Sequence, residues 1–441
     1  MRVDDKTIGA LAALRAELYR AVHACRDALF ELIDATACAG AVPSLAHLSV
    51  APGHRRGHGS VDAAVRRGTL RADRLRAALC RCPLAQGLPA YAVDVSVVAR
   101  SDAECSPERG YSDHASRHSA GQPIVAGWAD QWVAQLGAER SSWTAPVDAR
   151  RLRPGERSEA AAAERIRTLL PLLPTAPVPL FVCDAGYDAA ALTRALDGAR
   201  AAVLVRLRED RVFFCDPPPP SGRPGRPRKH GPRFACADPL TWPVPALAWA
   251  TADAACGQVS VQIWLGLHGR PARKRSDDAP PPRGAVLRVV LAHLPARRRP
   301  PAPLWLRWAG PGAPDPDLLW RADAHRFDLE HTLRFSKERL GWDRARVRTP
   351  APMDRWTGIV LAADAHLRLA RSLVLDRRLP WEKRLPPAAP TPLRVQRGFG
   401  ALVAALGTPA SPPKPCGRSP GRPRGRRSAP APRTPAVTSA A

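Results

Sequence analysis

Several things are missing from this 441-residue chain, and each absence removes a class of function. Its ten cysteines are scattered. Cys80 and Cys82 form a C-x-C, but no C-x-x-C pair occurs, which argues against a zinc site and for a reduced protein. No apolar run reaches the roughly 18 residues of a membrane span. The first residues, MRVDDKTIGA, lack the basic start and apolar core of a signal peptide, so a cytoplasmic, nucleoid-associated protein with no membrane partner is expected. No Walker loop appears, and no serine elbow of the G-x-S-x-G type joins a strand to a helix, so ATP-driven motion and that hydrolase chemistry are not expected. Acid is also short: 40 acidic residues face 67 basic ones.

The resulting charge of +27 calls for a polyanionic partner, and nucleic acid is the first choice. An anionic membrane surface would need a basic amphipathic helix, and none stands out. The abundance of Arg, Ala and Pro is also what a GC-rich coding sequence produces, so charge alone does not decide the partner.

Along the chain, residues 8–36 and 60–80 read as helices around a basic turn, APGHRRGHG at 51–59. This 1–88 region is expected to be helical; a small DNA-binding module and a solvated cap fit it equally. AYAVDVSVVA at 90–99 has the β-branched density of a strand. VPLFVC at 178–183 reads as a strand buried on both faces, and AVLVRL at 202–207 as another, with helices at 156–172 and 188–199. The alternation predicts an α/β core, its first part at 89–207. Residues 208–316 read as a β-rich insertion that opens with the basic loop DPPPPSGRPGRPRKHGPR and carries VSVQIWLGL and GAVLRVVLAHL. Helices at 319–340 and 355–377 would complete the core over 317–380. The region 381–441 ends in a Pro- and Arg-rich tail without periodicity, expected to be disordered.

Three acids stand at element ends: Asp94 in YAVDVS, Asp184 in FVCDAGYD and Glu330 in HRFDLEHTLRFSKERLGW. A carboxylate within an apolar strand costs desolvation energy unless a cation offsets it, and hard oxygen ligands suit Mg²⁺. Arg326, Glu330, Arg334 and Lys337 follow at spacings of four, four and three, along one face of a helix. On spacing alone, an exposed face with i,i+4 ion pairs is the better explanation of them.

These segments resemble the DDE-type transposases of bacterial insertion sequences, in the branch marked by Tyr, two residues, Arg, three residues, Glu, six residues, Lys. Arg326, Glu330 and Lys337 match that signature in spacing, while Asp323 replaces its Tyr; the D-x-G-Y-D run from Asp184 resembles the second acidic motif. The resemblance implies an RNase H-like core with a β-rich insertion between the second Asp and the Glu. It implies that Asp94, Asp184 and Glu330 are catalytic and hold two Mg²⁺ ions, for which Mn²⁺ can substitute. Arg326 and Lys337 would bind backbone phosphate. The implied activity is binding of terminal inverted repeats, cleavage, and transfer of 3′-hydroxyl strands to target DNA, by a dimer on DNA. Asp323 in the Tyr position would repel phosphate, which favours a second reading: an impaired or domesticated copy that only binds DNA. A nuclease of the same fold is a third. Asp188 rivals Asp184 for the second ligand, but its position suits a helix cap.

The segments at 221–231 and 420–427 both contain Gly-Arg-Pro flanked by Arg. They fit minor-groove insertion or plain basic low complexity, and Arg226, Arg228 and Lys229 are expected to touch DNA. Trp264 in the insertion fits a base-stacking role, although a strand Trp is more often core. His114 and His118 are phosphate contacts or loop fillers.

Overall fold

The structure is a computed structural model that describes residues 5–113, 124–139, 141–217, 230–269, 282–294, 300–386, 390–415, 425 and 429–437. In chain order its elements begin with α1 (Asp5–Ala21), α2 (Arg26–Cys38), α3 (Gly59–Arg67), α4 (Ala72–Cys80), β1 (Gly87–Ala99), β2 (Gly110–Asp113), β3 (Ile124–Gly137) and β4 (Ala145–Arg151). They continue with α5 (Ser158–Leu169), β5 (Leu180–Cys183), α6 (Ala189–Ala195), β6 (Ala202–Leu207), β7 (Val212–Phe214), β8 (Arg233–Ala235), β9 (Leu247–Asp253), β10 (Gly257–Gly269) and β11 (Gly284–Leu291). The last are β12 (Leu304–Ala309), α7 (Pro316–Arg326), α8 (Asp328–Glu338), α9 (Pro350–Leu369) and α10 (Pro392–Leu406). The mixed α/β class expected from the sequence is what forms. Among the described residues no helix is long and apolar enough to cross a membrane.

The chain divides into two units. The first comprises Met1–Ala85, Val95–Glu156 and Asp328–Ala441; the second comprises Gln86–Asp94 and Arg157–Phe327. In the first unit α1, α2 and α10 pack around α9, most of whose residues are buried. The two long helices expected in the N-terminal region are each split. The first breaks after Ala21, where Cys25 adopts a left-handed backbone (φ 55°). The second breaks at Gly68, where any side chain would collide with the Ala64 carbonyl. Inside this unit Arg15 donates to both oxygens of Asp34 at 2.5 and 2.9 Å, and its guanidinium lies 5.0 Å from the Phe30 ring centre. Trp132 of β3 meets Trp342 edge to face at 5.2 Å, and the Trp342 indole donates to the Thr357 hydroxyl of α9 at 3.0 Å. The strands β3 and β4, antiparallel to each other, come from a stretch that shows no clear strand signal in the sequence.

The expected disordered tail also has order in part. Thr434 donates its backbone N–H to the Glu104 carbonyl, Val437 donates to the Arg109 carbonyl, and Val437 bridges Gly110 of β2 in parallel. The buried Arg109 guanidinium donates to the carbonyls of Ser106, Arg100, Glu104 and Thr434, so the tail supplies part of its shell.

In the second unit the first part of β1 pairs with β5 in parallel, and β5 pairs with β6 in parallel. The strands of the expected insertion extend this same sheet. β12 is antiparallel to β6, β11 to β12 and β10 to β11, while β9 and β7 both pair with β10 and β8 pairs with β7. The insertion has an aromatic core of its own: Trp264 stacks on Trp305 at 5.9 Å, and Phe234 meets Trp264 edge to face at 5.0 Å. Trp264 is 3% exposed and its indole donates to the Pro243 carbonyl, which settles its role as core.

Two tests follow. Burial pushes the Asp130 carboxyl of β3 up to about 7; Asp354 adds to the rise, while Arg151 and the Thr357 hydroxyl oppose it. An unfolded Asp ionises near about 4. Between those values the folded state therefore holds the extra proton, and stability falls as pH rises through the window. Asp130→Asn should gain stability over the wild type above pH 7, on the order of a few kcal/mol, with the gain shrinking towards pH 4 in urea unfolding. A gain that does not vary with pH would show that Asp130 ionises normally. Truncation before Ala431 should strip one acceptor from Arg109 and lower stability by about 1–3 kcal/mol; an unchanged thermal midpoint would mean that the tail contributes nothing.

Candidate active site

The site begins with strand register. Parallel pairing aligns Val93 with Cys183 and Cys183 with Val205. The next residues in the three strands are Asp94, Asp184 and Arg206. Neighbouring strands lie about 4.8 Å apart and side chains alternate between faces, so these three share one face of the sheet, with Asp94 midway along β1, Asp184 directly after β5 and Arg206 next to last in β6. Asp94 and Asp184 are half-buried. The fully buried Cys183 thiol registers the local field. Burial raises its pKa first, the Asp184, Asp94 and Glu159 charges raise it further, and Arg326 opposes them. Arg326 therefore acts in the same neighbourhood as the two aspartates.

The turn after β5 fixes Asp184. Its Oδ1 accepts from the Gly186 backbone N–H at 3.1 Å, and a side chain at 186 would press to 3.2 Å from that oxygen. Asp188 is used otherwise. Its carboxylate caps α6 by accepting from Ala190 and Ala191, and its own N–H donates to Glu159. The capping reading of Asp188 holds, and it leaves Asp184 as the acid that follows the strand.

The helix expected at 319–340 is interrupted. α7 ends at Arg326, Phe327 is a turn residue, and α8 starts at Asp328. Arg326 is thus not on one continuous helix face with the other three, as the spacing had suggested. Glu330, Arg334 and Lys337 do keep their i, i+4, i+7 relation along α8, in the first unit. There Glu330 is half-buried, Arg334 is exposed, and the Lys337 ammonium lies 5.6 Å from the centre of the Trp342 ring. Arg226, Arg228 and Lys229, like His114 and His118, lie outside the described residues.

Asp323 departs from the expectation that it would face and repel phosphate. It is 5% exposed on α7, its carboxyl is raised by burial, and the charges of Arg206 and Arg326 pull it back down. Arg206 is the residue that sequence reading missed. The signal available was a lone cation near the end of an apolar strand, AVLVRL, mirroring the lone acid in YAVDVS.

The donor chemistry can be checked against a metal ion. Two half-buried carboxylates side by side repel each other, and a hard cation between them would relieve that. Among the described residues no group of three or more His, Cys, Asp or Glu is placed to hold a metal. The donor set in the second unit is therefore two carboxylates, and Mg²⁺ commonly takes one or two carboxylates and fills its shell with water and substrate phosphate. Asp94 and Asp184 fit that pattern.

Comparison with curated proteins gives no match. Among solved structures, a piggyBac transposase synaptic complex with hairpin DNA, seen by cryo-electron microscopy, is similar at 9% identity and a TM-score of 0.38, covering 93% of this chain and 74% of that one. So distant a likeness says nothing of function. A family model described as DDE superfamily endonuclease matches residues 17–268, a span that contains Asp94, Asp184 and Arg206 and stops short of Arg326, Glu330 and Lys337. That match covers more than half of the chain, which belongs to the DDE superfamily of endonucleases.

Proposed function

We propose that this chain is a DNA transposase of the insertion-sequence type. It would bind terminal inverted repeats, cleave at the element ends and transfer 3′-hydroxyl strands to target DNA, acting as a dimer on DNA. The observation that carries this reading is the placement of Asp94 and Asp184 side by side on parallel strands in a DDE-family chain. Glu330 is proposed as the third acid of the set. Two Mg²⁺ ions, or Mn²⁺ in their place, would activate the attacking oxygen and stabilise the leaving one when bound.

The chain's own residues have separable tasks in this reading. Asp94 presents its oxygens from within β1 and Asp184 from the turn directly after β5, both held by the sheet, so their geometry costs little reorganisation when substrate arrives. Gly186 keeps the turn clear of the Asp184 carboxylate. Arg326, Lys337 and Arg334 contact backbone phosphate, and Arg226, Arg228 and Lys229 add sequence-independent attraction. The helical N-terminal region, residues 1–88, is proposed to take part in DNA binding. A binder without catalysis was favoured chiefly by Asp323, and the burial of that side chain removes the phosphate repulsion on which the reading rested.

A strand-transfer assay decides the matter: purified protein, Mg²⁺ or Mn²⁺, a labelled fragment with the element's terminal repeats, and a supercoiled target. Joined products are expected from the wild type. Asp184→Asn, Asp94→Asn and Glu330→Gln should each cut their yield by more than about 100-fold while leaving fragment binding intact. Cuts without joints would point to a nuclease, and specific binding with neither product to a decayed copy. A fully active Glu330→Gln would remove Glu330 from the proposed set.

A further inference from the structure

Between α9 and α10 the chain holds one Trp out in water. All 12 Trp lie among the described residues, and Trp381 alone is exposed, at 78%. It sits in RRLPWEKR, residues 377–384, in a loop that belongs wholly to the first unit. The loop is tied down from α10. The buried Arg394 donates to the Asp376 carboxylate at 3.0 Å and to the Lys383 carbonyl at 2.7 Å, one on each side of the Trp. Arg397 donates to both oxygens of Glu382 at 2.9 and 2.7 Å, and the same carboxylate accepts the Leu379 N–H at 2.8 Å. Arg378 donates to the Glu382 carbonyl at 3.2 Å, and Pro380 fixes the backbone just before the Trp. Gly398 of α10 leaves room for the start of the loop, since a side chain there would press to 3.1 Å from the Leu375 carbonyl oxygen. The backbone that carries the indole is thus held in place, with the ring on its outer side. The same bonds sort the charges. Both acids of the loop, Asp376 and Glu382, are taken up by arginines of α10, whereas Arg377, Arg378, Lys383 and Arg384 are exposed.

A fixed aromatic ring with cations on both sides suits a nucleobase and its phosphates. Stacking needs a base with a free face, and bases inside a duplex have none, so the strand that fits is unpaired. The charges oppose a second copy of the chain, because two such loops would repel each other. We propose that residues 376–384 bind unpaired DNA: the Trp381 indole stacks on an exposed base, and Arg377, Arg378, Lys383 and Arg384 hold the phosphates beside it. This rests on the transposase reading and adds to it a place for a frayed or displaced strand, made of residues distinct from the aspartate pair. Arg394 and Arg397 touch no DNA in this arrangement; they hold the loop that does.

The test compares the binding of two labelled DNAs to the full chain in EDTA, so that no cleavage intervenes: a blunt duplex, and the same duplex with a short unpaired overhang. Wild-type protein should bind the overhang form more tightly. Trp381→Ala should lose roughly 5- to 150-fold of affinity for that form and little for the blunt one, and Trp381→Phe should keep most of it, since Phe also stacks. The double variant Arg377→Gln/Arg384→Gln should lower the slope of log K against log salt for the overhang form by about 1.4, at about 0.7 for each single-strand phosphate contact. The thermal midpoint of Trp381→Ala should match the wild type, because the side chain it removes stands in solvent. Wild-type affinity of Trp381→Ala for the overhang form would overturn the proposal, as would an equal loss on both DNAs. Unchanged DNA binding together with lost affinity for anionic phospholipid vesicles in Trp381→Ala would give the loop to a membrane surface instead. Wild-type protein that binds neither DNA would bring down the transposase reading and this inference together. Wild-type protein that joins DNA in the strand-transfer assay but gains nothing from the overhang would bring down the inference alone.

Discussion

Two carboxylates on neighbouring parallel strands repel each other, and much of the second unit is arranged around that repulsion. At a strand spacing of about 4.8 Å each charge stands within reach of the other. The register of β1 against β5 makes it unavoidable, since Val93 and Cys183 are paired and the acids come next. What offsets it lies close by in the same unit: Arg206 one strand over, and Arg326 from α7. The charges are not evenly matched, because Asp323 and Glu159 add negative charge to the same region. The balance is tilted to welcome cations.

The surplus of arginine has two destinations. Some of it is exposed to solvent, where it can serve the proposed contact with nucleic acid. Some is structural: Arg15 pairs with Asp34, Arg55 with Glu31, and Arg109 is wrapped by carbonyl oxygens. Guanidinium suits this inner work because its five donors can satisfy several carbonyls at once. Net charge read from composition therefore overstates the positive face available to DNA, and arginines such as Arg307, buried among insertion strands, have no part in that face.

Apolar strands were easy to read. VPLFVC and AVLVRL appear as β5 and β6 nearly residue for residue, because a strand buried on both faces leaves a continuous β-branched run. β3 and β4 were harder. In β3 the buried residues include Asp130, Gln131 and Gln135, whose polarity hides the strand from a hydrophobic pattern. Helix ends were harder still: the turn at Phe327 carries no Gly or Pro to announce it, and the break before Arg26 rests on a left-handed Cys25. Of the site, Asp94 and Asp184 showed themselves as acids in apolar context, whereas the role of Arg206 exists only through register, which no single strand contains. Asp323 looked like a damaged position because a linear motif gives no burial.

The tail is attached at two places. Arg55 and Arg56 donate to the carbonyl of Ser411, and the Ala431 carbonyl accepts from the Cys105 thiol. Past the second attachment, Val437 lies alongside Gly110 of β2, the last strand of its sheet. A bare strand edge offers unpaired N–H and C=O groups to any other chain, so this part of the tail guards a sheet margin, and a protein without it would be the more prone to associate with itself.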